Sequence, residues 1–319
     1  MTQQRPLVAV LGANGRLGLS LVHAFSLAGW RVRAHSRDTG KGHSRPWPEN
    51  VEPLICDARE RLALMRGVRG VDVVVNALNP PYTQWDKNAL ELGANAIAAA
   101  RAAGSLLLFP GNIYNFGNQL PATLTVETPQ IANTTKAHLR IEMEKSLKKA
   151  SEEGLDCIVL RGGDYFGGES RGAWFDRVIT KHIGKRKVIY PGSTDRSHAW
   201  AYLPDFAETF VRVASLKNRP RGFHVYHFPG YTLTGAQLHH ALEQALGISL
   251  NLKGMPWRSL KLASCVSPMA RSLLEMRYLW ERSHRIQDGA LSELIGSLPS
   301  TPLRDALRAS LQSLDLIPT

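Results

Sequence analysis

The sequence predicts an α/β fold in which a doubly wound parallel sheet carries a smaller, mostly helical C-terminal substrate lobe. One observation is the stretch LVAVLGANGRLG at residues 7–18, where a short apolar run leads directly into three glycines. The other is the alternation of short apolar segments with amphipathic ones, which continues to about Gly172 and loosens beyond it. Such alternation is typical of parallel strands joined by helices.

The three glycines follow the spacing Gly-x-x-Gly-x-x-Gly, and we expect each to have a different role. Gly12 allows a sharp turn, Gly15 allows the backbone to approach a pyrophosphate, and Gly18 allows the next helix to pack closely on the strand. The N–H groups at the start of that helix would bind the phosphates. This pattern is typical of a Rossmann-type dinucleotide site, with a purely structural turn as the alternative. The residues expected to bind the dinucleotide here are Gly12, Asn14, Gly15, Arg16, Leu17 and Gly18.

A second strand is predicted at residues 30–35, and the residues at its end select the cofactor. An acidic side chain there would bind the adenosine ribose hydroxyls and select NAD. The chain instead has Ser36 and Arg37, and the Arg37 guanidinium, with Arg16 as a further candidate, could bind a 2′-phosphate. Asp38, one position later, is the competing signal for NAD. The sequence therefore favours NADP(H) over NAD(H).

Composition and charge restrict the class of protein. The chain has 319 residues, 44% of them hydrophobic, and a formal charge of +12 that is spread along the sequence. That charge suits an anionic nucleotide, since no Lys/Arg block is interleaved with aromatic residues as in a nucleic-acid platform. The three scattered cysteines and the histidines at 239, 240 and 284 lack metal-ligand spacing, so no metal is expected. Without a signal peptide or a long apolar segment, the protein is expected to be cytoplasmic, with neither a nucleic-acid nor a membrane partner.

Further strands are predicted at residues 51–56, 71–77, 105–109 and 155–160, with helices between them. Asp57 follows the third strand, and together with Glu60 it resembles a capping box for the next helix. Asp57 and the backbone N–H of Ala58 are also candidates for contacts with adenine. Beyond the fourth strand the chain would pass beside the cofactor, because ligands bind past the carboxyl ends of parallel strands. The residues expected there are Ala77, Leu78 and Asn79.

In this order, the motifs resemble the extended short-chain dehydrogenase/reductase superfamily, which includes sugar-nucleotide epimerases and dehydratases. The resemblance covers nearly the whole chain and rests on the glycine motif, Asp57 after the third strand, Asn76-Ala77 after the fourth and Lys136 on a later helix. It implies a Ser or Thr after the fifth strand and a Tyr four positions before the Lys. In that superfamily the Tyr is the general acid/base, the Lys lowers its pKa and holds the nicotinamide ribose, and the Ser or Thr orients the substrate oxygen.

The sequence departs from that superfamily at two positions that matter for catalysis. Asn112 stands where Ser or Thr would be, and Ala132 stands four residues before Lys136, where Tyr would be. Alanine transfers no proton, so the chain is similar to the atypical branch of the superfamily. Isoflavone-reductase-like enzymes lack the Tyr and use the Lys, whereas proteins of the nitrogen-metabolite repressor type bind the dinucleotide without catalysis. The candidate catalytic residues are Lys136, Asn112 and Tyr114, with Tyr165 and Tyr82 as further candidate acids.

Lys136 lies at the start of a predicted helix, for which residues 133–135 supply candidate caps. The resemblance implies that Lys136 contacts the nicotinamide ribose. We therefore expect Lys136→Ala to weaken dinucleotide binding and to leave the fold intact. The alternative is a solvent-exposed lysine.

The sixth strand leads into a glycine-rich loop, RGGDYFGG, at residues 161–168. The resemblance implies that this loop lies against the nicotinamide, with Gly162 and Gly163 allowing close approach. Substrate contacts would then begin with Asp164 and Tyr165. Further along the chain, His198 and Trp200 are candidates for the wall of the substrate pocket, with core packing as the alternative for the tryptophan. The expected domains are a Rossmann domain at 1–170, completed by returns to the sheet near 198–228, and a substrate-binding lobe at 171–319.

The function expected from these features is that of an NAD(P)-dependent oxidoreductase or epimerase/dehydratase-like enzyme with a non-standard active site. Its substrate would be a small carbonyl compound or a sugar nucleotide. The alternative is a non-catalytic NADP(H)-binding redox sensor or regulator. The oligomeric state stays open, with a homodimer as one option.

Overall fold

The computed structural model describes residues 5–37, 47–81, 84–287 and 289–317 of the chain. The strands are β1 (Leu7–Leu11), β2 (Arg31–Ser36), β3 (Val51–Ile55), β4 (Val73–Asn76), β5 (Leu106–Asn112), β6 (Thr123–Leu124), β7 (Cys157–Gly162), β8 (Asp164–Phe166), β9 (Lys187–Tyr190), β10 (Ser197–Tyr202), β11 (Phe223–His227), β12 (Tyr231–Thr234), β13 (Asn251–Gly254) and β14 (Arg285–Ile286). The α-helices are α1 (Arg16–Leu27), α2 (Arg61–Gly67), α3 (Trp85–Ala103), α4 (Thr135–Glu152), α5 (Leu203–Ala214), α6 (Gly235–Leu246), α7 (Trp257–Ala263), α8 (Pro268–Glu275), α9 (Tyr278–Glu281), α10 (Gly289–Ile295) and α11 (Leu303–Gln312).

Seven parallel strands form the main sheet, in the order β11-β7-β5-β4-β1-β2-β3. Strands β1, β4, β5 and β7 are buried along their whole length. Their near-continuous apolar runs follow from burial on both faces. After β1 the chain builds outward through β2 and β3 on one side and then returns to add β4 on the other. A crevice therefore opens beyond the carboxyl ends of β1 and β4, where ligands of such sheets bind.

Helices cover both faces of this sheet. Helices α1 and α5 pack on one face through a core that contains Phe25, Phe206 and Phe210. Helices α2, α3 and α4 cover the other face, where Leu64 and Leu147 are buried. The doubly wound α/β fold predicted from the sequence is thereby confirmed.

The C-terminal lobe contains the three-stranded sheet β12-β10-β8, two pairs of short strands and most of the later helices. The sequence predicts helical structure from Met255 to Leu314, but the structure divides this segment into α7 to α11 and the short strand β14. Prolines explain several of the breaks, because proline fits only the beginning of a helix. Pro256 and Pro302 immediately precede α7 and α11, and Pro268 is the first residue of α8.

Several predicted boundaries are close to those observed. Gly104 and Gly247 end α3 and α6 in the left-handed conformation, with φ of 65° and 66°. Strand β5 extends three residues beyond the predicted end at Phe109. Pairing with β7 causes the extension, because Asn112 lies opposite Gly162 in the ladder. Within the described part of the chain, no helix is long and apolar enough to cross a membrane.

Candidate functional site

The turn between β1 and α1 requires glycine at Gly12 and Gly18, because a side chain at either position would clash with the backbone. Gly12 has a φ of +80°, and a Cβ at this position would lie 2.9 Å from the Ala77 carbonyl oxygen. A Cβ on Gly18 would lie 2.1 Å from the Gly12 carbonyl oxygen, so α1 can approach the strand only without a side chain there. Gly15 is exposed, and an added Cβ would meet only the Gly12 carbonyl oxygen, at 3.1 Å. The position of Gly15 thus leaves room for a ligand, whereas Gly12 and Gly18 satisfy internal packing.

Helix α1 begins directly after this turn. Gly15 is the N-cap, and it has no side chain to accept from the first N–H groups of the helix. The first turn also contains no acidic residue. Such a helix start has unpaired donors and the positive end of the helix dipole, which together favour an anion.

His35 links the glycine turn to the end of β3 through hydrogen bonds at both ring nitrogens. Sequence analysis did not identify this role. The backbone N–H of Gly12 donates to Nδ1 of His35 at 3.2 Å, and His35 Nε2 lies 3.1 Å from the Cys56 carbonyl oxygen. Since the carbonyl can only accept, Nε2 must carry the proton and the ring is neutral. Burial lowers the pKa of His35, which favours this neutral form. The signal available in the sequence was a histidine at the end of the predicted second strand.

The end of β2 carries the residues predicted to select the cofactor. Arg37 is exposed, whereas Ser36 is partly buried. The guanidinium of Arg16 instead binds the Gly167 carbonyl oxygen, at 2.9 Å from Nη2, and forms an ion pair with Asp176 at 2.9 Å. The contact of Arg16 with a 2′-phosphate stays a prediction. Asp38 and Tyr82 lie outside the described residues.

Asp57 lies beyond the carboxyl end of β3, but it does not cap the next helix as predicted. Helix α2 begins at Arg61, and its N-cap, Glu60, makes no side-chain capping bond. The Asp57 carboxylate turns to the Arg59 guanidinium, which lies 2.5 Å away, and this contact lowers the pKa of Asp57 to about 2. The neighbouring Ala58 is buried, and its carbonyl accepts from Asn95. The adenine contacts of Asp57 and Ala58 stay predictions.

The segment after β4 lies directly against the glycine turn. The Ala77 N–H donates to the Leu11 carbonyl at 3.0 Å, and the Ala77 carbonyl is the group that Gly12 must avoid. Leu78 donates its N–H to the Asn76 side chain, and Asn79 is exposed. These residues therefore line the crevice between the ends of β1 and β4. Their contact with a cofactor stays a prediction.

Asn112 ends β5 with its amide in a defined orientation. Its Oδ1 accepts from the Tyr114 N–H at 3.0 Å, which caps the short helical turn over Ile113–Gln119. The amide group of Asn112 must therefore present Nδ2 on its other side, where it makes no hydrogen bond with a described residue. Tyr114 itself is buried beside Trp85. The Tyr165 hydroxyl donates to the Gly111 carbonyl at 2.9 Å, which places Tyr165 next to Asn112.

Lys136 is 3% exposed, which excludes the alternative of a solvent-exposed lysine. Thr134 caps α4 by accepting from the Ala137 N–H, as one of the predicted caps. Lys136 Nζ lies 2.5 Å from a carboxylate oxygen of Glu275 and donates to the Ser272 carbonyl at 3.3 Å. Sequence analysis missed Glu275, which is 139 residues away and lies outside every motif.

The helix start separates Ala132 from Lys136. Helix α4 begins at Thr135, and Ala132 is an exposed residue in the irregular segment before it. Residues four apart share a face only when both are helical. The pair that meets this condition is Lys136 with Arg140, whose Nη1 donates to the Pro110 carbonyl near the end of β5. Sequence analysis gave no role to Arg140.

The glycines after β7 relieve crowding within the protein. A Cβ on Gly163 would lie 2.3 Å from the Ala199 carbonyl oxygen, and one on Gly162 would lie 3.3 Å from the Ala201 Cβ. Both contacts are with strand β10, so the two glycines let the sheets approach each other. Their predicted role in approach to the nicotinamide is untested.

Asp164 and His198 form a buried dyad behind this loop. His198 Nε2 lies 2.8 Å from an oxygen of Asp164, and both residues are at least nine-tenths buried. The His198 ring stacks on Trp280 with a centroid distance of 4.1 Å and an interplanar angle of 6°. Trp200 is 1% exposed and belongs to the same aromatic core. His198 and Trp200 are thus core residues behind Asp164, whose side chain remains 10% exposed.

Among the residues that the structure describes, no three or more His, Cys, Asp and Glu side chains come together in an arrangement that could hold a metal ion. The histidines near this site instead contact aromatic rings, a carboxylate or backbone carbonyls.

Comparison with known proteins agrees with this architecture. The model of the NmrA-like family matches residues 4–116, which include the glycine turn and strands β1 to β5. No curated protein matches the chain in sequence.

Solved structures with the same fold align over nearly the whole chain at low identity. MoeE5 in complex with UDP-glucuronic acid and NAD is 16% identical, with a TM-score of 0.74 over 97% of this chain and 98% of that one. The Bordetella bronchiseptica enzyme WbmH in complex with NAD+ is 15% identical, with a TM-score of 0.76 over 97% and 98% of the two chains. UDP-glucose 4-epimerase from Bifidobacterium longum, in complex with NAD+ and UDP, is 15% identical, with a TM-score of 0.76 over 96% and 97%. The C-terminal lobe is therefore part of the shared fold.

Proposed function

We propose that the chain is an NAD(P)-dependent oxidoreductase or epimerase/dehydratase-like enzyme that acts on a small carbonyl compound or a sugar nucleotide. The observation that carries this proposal is the glycine turn between β1 and α1. Its Gly12 and Gly18 satisfy backbone packing, while Gly15 and the uncapped start of α1 leave donors for a pyrophosphate. The solved structures of the same fold that contain NAD support the choice of ligand.

The residues proposed for the reaction lie at the carboxyl edge of the sheet. Asn112 and Gly162 are opposite each other in the ladder of β5 and β7, and Asp164 follows two residues later. The Asn112 amide N–H would orient a substrate oxygen, and Lys136 would contact the nicotinamide ribose. Asp164 and Tyr165 would contact the substrate. His198 and Trp200 would support that wall from behind.

Lys136 is the candidate proton donor that we propose. The Tyr165 hydroxyl donates to the Gly111 carbonyl, and Tyr114 is packed in the core beside Trp85. Lys136 Nζ lies 2.5 Å from a Glu275 carboxylate oxygen, so proton donation to a substrate requires that the substrate oxygen replace this carboxylate as the partner of the ammonium. We propose that Lys136 replaces the superfamily's tyrosine as the acid.

NADP(H) is proposed over NAD(H) because Arg37 is exposed at the end of β2 and could approach a 2′-phosphate. The cofactor and the substrate that we propose are both small molecules. A cytoplasmic location, a homodimer and the domain boundary at residue 170 stay predictions of the sequence.

Gly15→Ala tests the proposal with little risk to the fold. Gly15 has a φ of −76°, which alanine adopts readily, and the exchange costs an N-cap only about 1 kcal/mol. We expect NADPH affinity, measured by nicotinamide fluorescence, to fall at least tenfold with a nearly unchanged melting temperature. The matched control is Gly93→Ala in α3, where the added Cβ meets only the Met143 Cε at 3.9 Å. Equal NADPH binding by both variants would refute the dinucleotide site.

The second candidate function is a non-catalytic NADP(H)-binding sensor or regulator. One observation favours it, namely that Ala132 is exposed outside α4 and cannot transfer a proton. Purified protein mixed with NADPH and a panel of carbonyl compounds separates the two functions. Loss of nicotinamide absorbance supports an enzyme, whereas tight NADPH binding without turnover supports the sensor.

A further inference from the structure

Glu275 contacts Lys136 with both carboxylate oxygens. Its Oε1 accepts from the Lys136 backbone N–H at 3.1 Å, and its Oε2 lies 2.5 Å from Nζ. The Ser272 carbonyl accepts a further hydrogen bond from Nζ at 3.3 Å. One carboxylate therefore holds both ends of the lysine, and the side chain has a defined direction.

This contact resolves two electrostatic costs at once. A buried ammonium needs a counter-charge, and Lys136 is 3% exposed. A lysine in the first turn of a helix also opposes the helix dipole, whereas an acidic group there is favourable. Since α4 has no acidic residue in its own first turn, Glu275 supplies that charge from another helix.

Few residues of the α7–α8 hairpin, which carries Glu275, are fully buried. Helix α7 has no buried residue, and in α8 only Ala270 is buried. Leu262 and Val266, in and just after α7, are 77% and 86% exposed. Trp257 of α7 packs beside Trp174 and donates to the Pro191 carbonyl at 2.6 Å, whereas the contact of Ser272 and Glu275 with Lys136 joins the α7–α8 hairpin to α4.

We propose that Glu275 is the positioning residue for Lys136 and that it links the hairpin of the substrate lobe to the dinucleotide site. This inference rests on the proposed function, because it requires Lys136 to contact the dinucleotide. The carboxylate fixes the direction of the Lys136 side chain, and the hairpin must be docked for Lys136 to be placed. Occupancy of the dinucleotide site and docking of α8 thereby stabilise each other.

The test compares Glu275→Gln with Glu281→Gln, which removes an exposed ion pair with Arg277 from α9 of the same lobe. Glutamine retains an oxygen for the Lys136 N–H, so the start of α4 stays capped. Its amide NH2 group then faces Nζ, which loses both the counter-charge and the acceptor that the carboxylate supplies. The first measurement is NADPH affinity by nicotinamide fluorescence. We expect it to weaken about tenfold in Glu275→Gln, as for loss of a charge-assisted contact, and to be unchanged in the control. Glu275→Asp, which keeps the charge, should recover part of the affinity.

The second measurement needs no dinucleotide. Trace acetylation with acetic anhydride, followed by mass spectrometry, compares the reactivity of Lys136 with that of Lys148, which is exposed on the same helix. Loss of the counter-charge should raise the ratio of Lys136 to Lys148 labelling at least threefold in Glu275→Gln. In a Lys136→Met background, the glutamine substitution should no longer change NADPH affinity.

The outcomes separate this inference from the proposed function. A protein that binds neither NADPH nor NADH would overturn the proposed function, and the inference with it. Normal NADPH binding that Glu275→Gln leaves unchanged or tightens would overturn the inference alone. An unchanged labelling ratio would show that Glu275 does not control the Lys136 side chain.

Discussion

The backbone N–H of Gly12 donates to Nδ1 of His35, so the turn that begins α1 is tied to the strand beside it. We expect His35→Phe to destabilise the protein by about 1–3 kcal/mol, because it leaves the Gly12 N–H unpaired. NADPH binding should weaken as well, since the turn loses its support. Urea unfolding and nicotinamide fluorescence measure the two effects. His240→Phe, at an exposed histidine, is the control, and equal stability of both variants would contradict this role.

The pH dependence of stability should reflect the buried neutral histidines. Burial lowers the pKa of His227 to about 4 and that of His284 to about 3. In the unfolded chain both would titrate near 6.5, so the unfolded state binds more protons below that pH. The free energy of unfolding should therefore be highest above about pH 6.5 and fall as the pH decreases toward 4. Each histidine contributes at most about 2 kcal/mol to the decrease between pH 7 and pH 5.

Urea unfolding at pH 7, 6 and 5 measures this dependence. His227→Gln should flatten the curve, and His240→Gln should leave it as in the wild type. A stability that rises on acidification over this range would contradict the assignment.

Arg37 is predicted to determine the preference between cofactors. Arg37→Asp should reverse the preference from NADP to NAD, with a loss in NADPH binding of about 1.5–3 kcal/mol for a charge-assisted contact. Calorimetric titration with NADPH and NADH measures both affinities. Arg304→Asp makes the same charge change at an exposed position in the first turn of α11. NADH binding as tight as NADPH binding by the unmodified protein would refute the prediction.

Whether restoring the superfamily's Tyr and Ser restores turnover should depend on where helix α4 begins. Ala132→Tyr combined with Asn112→Ser should produce no gain in turnover over the wild type, because residue 132 is exposed and precedes α4. Lys136→Ala should abolish native turnover, because we propose Lys136 as the acid. Absorbance of the nicotinamide, with UDP-glucose and NAD as the probe pair, compares the variants. A gain of activity in the Ala132→Tyr variant would show that the superfamily pair spans the helix start.

The ion pair between Glu144 and Arg161 should matter more for stability than any surface pair. Glu144 Oε2 lies 2.5 Å from Arg161 Nη2, and both side chains are almost fully buried. Glu144→Gln would leave the guanidinium without its counter-charge, at a cost of about 3–5 kcal/mol. Glu142→Gln, in the exposed pair with Lys145 on the same helix, should cost less than about 1 kcal/mol. Similar midpoints of urea unfolding for both variants would contradict this difference.

The sequence predicted local features more completely than long-range ones. The glycine turn and the helix end at Gly104 follow from backbone geometry, which a few neighbouring residues determine. The contacts of Lys136 with Glu275 and of Arg16 with Asp176 join segments more than 130 residues apart, and no spacing rule connects such segments. Asp57 is a local feature that was predicted wrongly. The carboxylate pairs with Arg59 instead of capping α2, which begins only at Arg61.

Strand β11 has a consequence for how the chain could be divided or recombined. It is made after the chain has built much of the C-terminal lobe, yet it forms the outer strand of the main sheet beside β7. A fragment that ends at residue 170 would leave the whole β7 edge, with its apolar CIVL segment, open to pairing with other molecules. We expect such a fragment to aggregate. An exchange of C-terminal lobes between proteins of this fold would therefore need two junctions, one on each side of the returning strand, rather than a single cut.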